Sequence, residues 1–83
     1  MNFYVYILFS PNLNRYYIGS TNDVENRLKK HLSSGRGFTS KSRDWEVKYT
    51  ETFTTRGEAV QRELQIKKWK SRVMIEKLIK GEL

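Results

Sequence analysis

The chain has 83 residues, with sixteen Lys and Arg against nine Asp and Glu, a net charge of +7, 37% hydrophobic and 13% aromatic residues, no cysteine and one histidine. A core of this size serves one domain over residues 1–83 and a single site, and the apolar content excludes wholesale disorder. Disulfide scaffolds, thiol nucleophiles and thiolate or multi-histidine zinc sites are excluded as well, so any metal must be held by oxygen.

The first apolar run, Phe3 to Phe9, is rich in β-formers and far short of the roughly 20 residues that span a bilayer. The opening MNFYVYILFS also lacks the basic leader of a secretory signal, which predicts a soluble, cytoplasmic chain with no membrane partner. Ser10-Pro11-Asn12-Leu13-Asn14 is turn chemistry, and Arg15 to Ser20 reads as a second strand, giving a hairpin. A loop over residues 10–13 would place Phe9 opposite Asn14, Tyr6 opposite Tyr17 and Tyr4 opposite Gly19. Alternation puts Phe3, Val5, Ile7, Phe9, Tyr16 and Ile18 on a core face and Tyr4, Tyr6 and Tyr17 on the other. Aromatic pairs of this kind stabilise sheets without doing chemistry. Gly19, however, marks a strand position where something approaches the backbone closely.

Thr21-Asn22-Asp23 supplies caps for a helix running to about Ser34, with Gly35 as its stop. Val24, Leu28 and Leu32 form its buried stripe, flanked on one side by Arg27 and His31, while Lys30 and Asn26 point outward. His31 suits a locally satisfied histidine as well as a functional one; the edge position of Arg27 suits anion contact. Residues 27–43 contain Arg27, Lys29, Lys30, Arg36, Lys41 and Arg43 and no acid, so the basic excess is regional. It reads either as a solvated face or as a surface for a polyanion. GRGFTSKSRD, residues 35–44, is a basic, hydroxyl-rich loop able to drape over phosphates, but its glycine spacing fits neither a Walker loop nor a dinucleotide fingerprint.

Trp45 to Phe53 predicts a third strand, half exposed, with Trp45, Val47 and Tyr49 on one face. Thr55 to Glu58 fits the T-x-x-E capping box of a helix reaching about Lys70, whose buried arc takes in Ala59, Val60, Leu64 and Ile66. Glu63 falls inside that arc. A carboxylate there costs several kcal/mol unless it is paired, protonated or bound to a cation, and the partner is either Lys67 or a metal. Ser71 caps a final helix with Val73, Met74, Leu78 and Ile79 on its apolar side.

Taken together, Tyr4-Val5-Tyr6, Tyr17-Ile18-Gly19 eleven residues after Tyr6, Arg27 ten residues further, and Glu63 within Arg62-Glu63-Leu64-Gln65-Ile66-Lys67-Lys68-Trp69 resemble the GIY-YIG nuclease family, in particular its small standalone members. The resemblance runs from about Asn2 to Leu78. Tyr4 stands where the family opens its first tripeptide with glycine, and the last segment lacks the asparagine that some members place there. The resemblance implies an α+β fold, a small three-stranded antiparallel sheet flanked by about three helices in the order β-β-α-β-α-α, with the site on the tyrosine face. It further implies catalytic roles for Tyr6, Tyr17, Arg27 and Glu63, and more loosely for His31, with Glu63 holding Mg²⁺ or Mn²⁺ and Gly19 structural at the site.

The expected activity is metal-dependent hydrolysis of DNA, of low sequence specificity or selective for structure, in repair or recombination; RNA remains a possible substrate and a protein partner a possible source of specificity. Arg27, Lys30, Arg36, Lys41, Arg43 and Lys67 are the expected phosphate contacts. A phenol of ordinary pKa, about 10, is a poor base at neutral pH, so a tyrosine base requires neighbouring cations that favour its phenolate. A nucleic-acid-binding module on the same fold, without the reaction, accounts equally well for the charge but gives Glu63 no purpose. A purely structural domain leaves the charge asymmetry unmotivated.

Overall fold

The computed structural model describes residues 1–33 and 42–83. The elements are β1 (Phe3–Ser10), β2 (Arg15–Thr21), α1 (Val24–Ser33), β3 (Glu46–Phe53), α2 (Arg56–Trp69) and α3 (Arg72–Lys80), the expected order of an α+β domain. The sheet order is β2-β1-β3, antiparallel throughout. β1 takes the centre because its middle is apolar on both faces: Val5, Ile7 and Leu8 are fully buried, and Tyr6 is 2% exposed. α1 covers one face, packing Val24, Leu28 and Leu32 near Tyr6, Leu8 and Trp45. α2 and α3 cover the other, where Ala59, Ile66 and Leu78 meet Val5, Ile7 and Ile18. Burial of a side chain such as Ile66 contributes about 1.5–3 kcal/mol, so both layers hold the sheet in place. Among the described residues no helix is long and apolar enough to cross a membrane.

The hairpin register differs from expectation by two residues. β1 continues through Ser10, so Leu8 lies opposite Tyr17, Tyr6 opposite Gly19 and Tyr4 opposite Thr21. The loop is residues 11–14, closed by the Asn14 N–H donating to the Ser10 carbonyl at 2.7 Å, with Asn14 left-handed at φ 54°. Asparagine tolerates that conformation at a turn. Asp44 explains why Ser10 belongs to the strand: it accepts from the hydroxyls of Ser10 and Ser42 and, at 2.7 Å, from the Asn12 N–H. That partner is far away in sequence and invisible to turn chemistry. Because the slip is even, every face assignment in the hairpin survives.

The Ser10 and Ser42 hydroxyls hold the Asp44 carboxyl below its ordinary value. A depressed folded-state pKa stabilises the fold above the unfolded value, about 3.9, and that contribution is lost as pH falls through the folded value. Asp44→Asn is therefore expected to flatten the acid limb of stability below about pH 4, as read from urea midpoints at successive pH values.

β3 begins at Glu46 and carries a bulge: Ile7 pairs with Tyr49 but Leu8 with Val47. The irregularity turns Trp45 and Val47 toward the α1 side while Tyr49 stays with α2, so the expected common face of Trp45, Val47 and Tyr49 is not formed. α2 starts as expected, with the Thr55 hydroxyl accepting from the Glu58 N–H at 3.2 Å. Its buried stripe is narrower than the sequence suggests, because Val60 and Leu64 are 38% and 50% exposed. In α3, Ile75 packs against the core and Val73 is exposed. The rotation of α2 is fixed by Arg62, whose Nε lies 3.0 Å from Glu51 Oε1 on β3, and Glu51 also accepts from the Tyr49 hydroxyl at 2.6 Å. Burial and that carboxylate push the Tyr49 pKa up to about 12. Clamping Arg62 directs its neighbour Glu63 toward β2.

Candidate active site

Tyr6 projects from β1 on the α1 side, opposite Gly19. Its ring lies across that glycine: a Cβ added to Gly19 would stand 2.6 Å from Tyr6 Cζ and closer still to the hydroxyl. The close approach anticipated at Gly19 is thus made by the phenol of the neighbouring strand. Overpacking of this kind costs about 1–3 kcal/mol, so Gly19→Ala is expected to lower stability by that amount in urea unfolding and to displace Tyr6.

The Tyr6 and Tyr17 rings are stacked with centroids 6.4 Å apart and planes at 29°. The Trp45 ring meets Tyr17 edge-on at 6.4 Å and so backs the second phenol. From α1, Arg27 stands close enough to the Tyr6 hydroxyl for its positive charge to act on it. Burial raises the pKa of Tyr6, the Arg27 guanidinium opposes it, and Tyr17 and Glu63 act in the same direction as burial. Tyr6 is therefore a protonated phenol at neutral pH, able to donate a hydrogen bond. Three elements, β2, α1 and α2, bring Tyr17, Arg27 and Glu63 within electrostatic reach of that one hydroxyl.

Glu63 arrives from the opposite side of the sheet. It belongs to the α2 layer, where the Ser20 hydroxyl donates to its Oε1 at 2.6 Å and Lys67 Nζ donates to Oε2 at 2.6 Å. The expectation of a site confined to the tyrosine face therefore needs correction. Tyr17 and Gly19 face α1, Ser20 faces α2, and the two halves meet around β2, an edge of the sheet. The Glu63 side chain is 16% exposed and that of Lys67 46%, so the carboxylate lies beside the buried stripe and its lysine reaches into water. Of the two partners considered for Glu63, Lys67 is in place; its end of the pair lies in water, where a cation or a phosphate can compete for it.

Ser20 was missed by the sequence reading. The signal was available, since a serine directly after Tyr17-Ile18-Gly19 must point to the other face, toward the helix carrying Glu63. Lys30 and Arg43 are exposed. Arg36, Lys41 and the side chain of His31 lie outside the described residues.

Among the described residues no group of three or more His, Cys, Asp and Glu converges. Among the described residues the site offers a cation one carboxylate, that of Glu63, with one oxygen on Lys67. That donor set fits a hard divalent cation that keeps most of its water and shares one carboxylate with a substrate phosphate, and it does not fit a closed protein cage.

The GIY-YIG catalytic domain family matches residues 2–78. A UPF0213 protein of Bacillus pumilus is 40% identical over 70 residues, covering 82% of this chain and 69% of that protein. One from Staphylococcus epidermidis is 41% identical over 66 residues, covering 77% and 78%. The solution NMR structure of a UPF0213 protein from Bacillus halodurans is similar at a TM-score of 0.62 and 34% identity, covering 99% of this chain and 86% of that one.

Proposed function

The chain belongs to the GIY-YIG catalytic-domain family, and from that premise we propose that it is an endonuclease hydrolysing phosphodiester bonds in DNA with Mg²⁺ or Mn²⁺. We place its activity in repair or recombination, with selectivity for the shape of the substrate and little readout of base sequence. Support comes from one observation above all: the Tyr6 ring lies across Gly19 and stacks on Tyr17 at 6.4 Å, while the next residue of the strand, Ser20, holds the Glu63 carboxylate at 2.6 Å.

Hydrolysis needs an oriented water, a proton acceptor and neutralisation of charge on the phosphate. In this reading Arg27 binds a non-bridging oxygen of the scissile phosphate, beside the Tyr6 phenol. Tyr6, keeping its proton, donates a hydrogen bond that orients the attacking water. Tyr17, acting as its phenolate beside the Arg27 and metal cations, takes the water's proton to become the neutral phenol, and His31, one helical turn beyond Arg27 in sequence, passes that proton to solvent. Glu63, pre-oriented by Ser20, holds the divalent cation, which supplies charge neutralisation at the phosphate and leaving oxygens when bound. Lys67 then leaves the carboxylate for a neighbouring phosphate. Lys30, Arg36, Lys41 and Arg43 extend the phosphate track, giving affinity without base readout.

A second reading, a DNA-binding module without the reaction, is favoured by the same Lys67 ion pair, which already neutralises Glu63. Incubating the purified protein with labelled duplex, single-stranded and branched DNA, and with RNA, each with and without Mg²⁺ or Mn²⁺, separates the two. Metal-dependent nicking supports the nuclease. Tight binding without cleavage on every substrate supports the module.

A further inference from the structure

The two edges of the sheet are built differently. β3 is interrupted by its bulge and carries Glu46, Lys48 and Glu51, devices that discourage another strand from pairing. β2 has neither defence. It runs beside β1 in unbroken register from Tyr4–Thr21 to Ser10–Arg15, and Arg15 is its sole charged residue. An edge of that kind is a template for one more strand.

A groove of about 680 Å³ borders this edge, between the hairpin and the junction of α2 and α3. The four consecutive residues Arg15 to Ile18 all line it. Because β2 is the edge strand of the sheet, a groove that touches four of its residues in succession runs along that edge. Lys67, Lys70 and Arg72 line the groove as well. Lys67 and Arg72 have carboxylate partners in Glu63 and Glu76, whereas Arg15 and Lys70 have none among the described residues.

We propose that the outer edge of β2 docks an extended acidic peptide of a partner protein, main chain to main chain, with its acidic side chains against Arg15 and Lys70. The occupant follows from the chemistry. A strand edge offers both N–H donors and carbonyl acceptors; a peptide answers both, while a phosphodiester backbone supplies acceptors and leaves the carbonyls unmet. A second copy of this chain would bring the same cations face to face. The inference does not depend on the nuclease reading, since it uses neither Glu63 nor the phenols as reacting groups.

The test titrates the full, isotope-labelled chain with an acetylated, amidated Glu-Val-Glu-Val-Glu-Val peptide, followed by amide chemical shifts and hydrogen exchange. Saturable binding is expected, with shifts and slowed exchange concentrated in Arg15 to Ile18. The double variant Arg15→Glu, Lys70→Glu is expected to weaken it about tenfold. A Lys-for-Glu peptide, and one N-methylated at alternate residues, are expected not to bind; these keep the test decisive if the double variant folds poorly. Equal binding of either control peptide, shifts confined elsewhere, dimerisation of the free chain through β2, or protection of those amides by an oligonucleotide and not by the acidic peptide would each overturn the proposal.

Discussion

Glu63→Gln is expected to lower metal-dependent cleavage about a hundred- to a thousandfold while DNA affinity stays the same or tightens. Glutamine keeps the shape and can still accept from Ser20 through its amide oxygen, so the Ser20 contact is preserved. The charge that would hold a cation is gone. Lys67, exposed and bonded to Glu63 at 2.6 Å, loses its counter-ion and becomes a better phosphate contact, which is why affinity should not fall. Stability changes little, because glutamine keeps the Ser20 contact and the lysine that loses its partner lies in water. Single-turnover cleavage over a Mn²⁺ titration, with binding followed by fluorescence anisotropy in EDTA, reads both quantities. Undiminished cleavage would remove Glu63 from the reaction and with it the proposed cation site.

Tyr17→Phe removes one oxygen and almost no volume, and the expected cost is about 10²–10⁴ in the rate of the chemical step, the usual contribution of a positioned base. The ring keeps its stacking on Tyr6 and its edge contact with Trp45, both at 6.4 Å, so the phenylalanine should hold its place. Tyr6 keeps its proton because burial raises its pKa, which suits it to donating a hydrogen bond that orients the water. Rates at saturating DNA and Mn²⁺, with a thermal melt to confirm folding, decide the matter. Wild-type rates in Tyr17→Phe would transfer the base role to another group.

The element order, the caps at Thr55 and Ser71 and the membership of both hairpin faces were legible because each is written locally, in turn residues, hydroxyl caps and alternation. What escaped depended on partners distant in the chain. The strand extends to Ser10 because Asp44 supplies the acceptor. Trp45 lies near Tyr17 because an irregularity in β3 reverses its face, and no residue in that strand announces one. Val60 and Leu64 belong to the apolar pattern of α2 but face water, since the clamp between Arg62 and Glu51 fixes which stripe of the helix meets the sheet. The candidate site was legible as a set of residue types; its division between two layers was not, because spacing along a chain does not say on which side of a sheet a later helix will dock.

The central place of the first strand has a consequence for biosynthesis. During translation β1 finds β2 at once across a short loop, a step that takes microseconds, whereas β3 and α2 emerge only later. An interrupted or nascent chain therefore carries phenols and a guanidinium without the carboxylate. On the nuclease reading proposed above, such a chain would lack the group that holds the cation, so cleavage would require α2 to have joined the sheet.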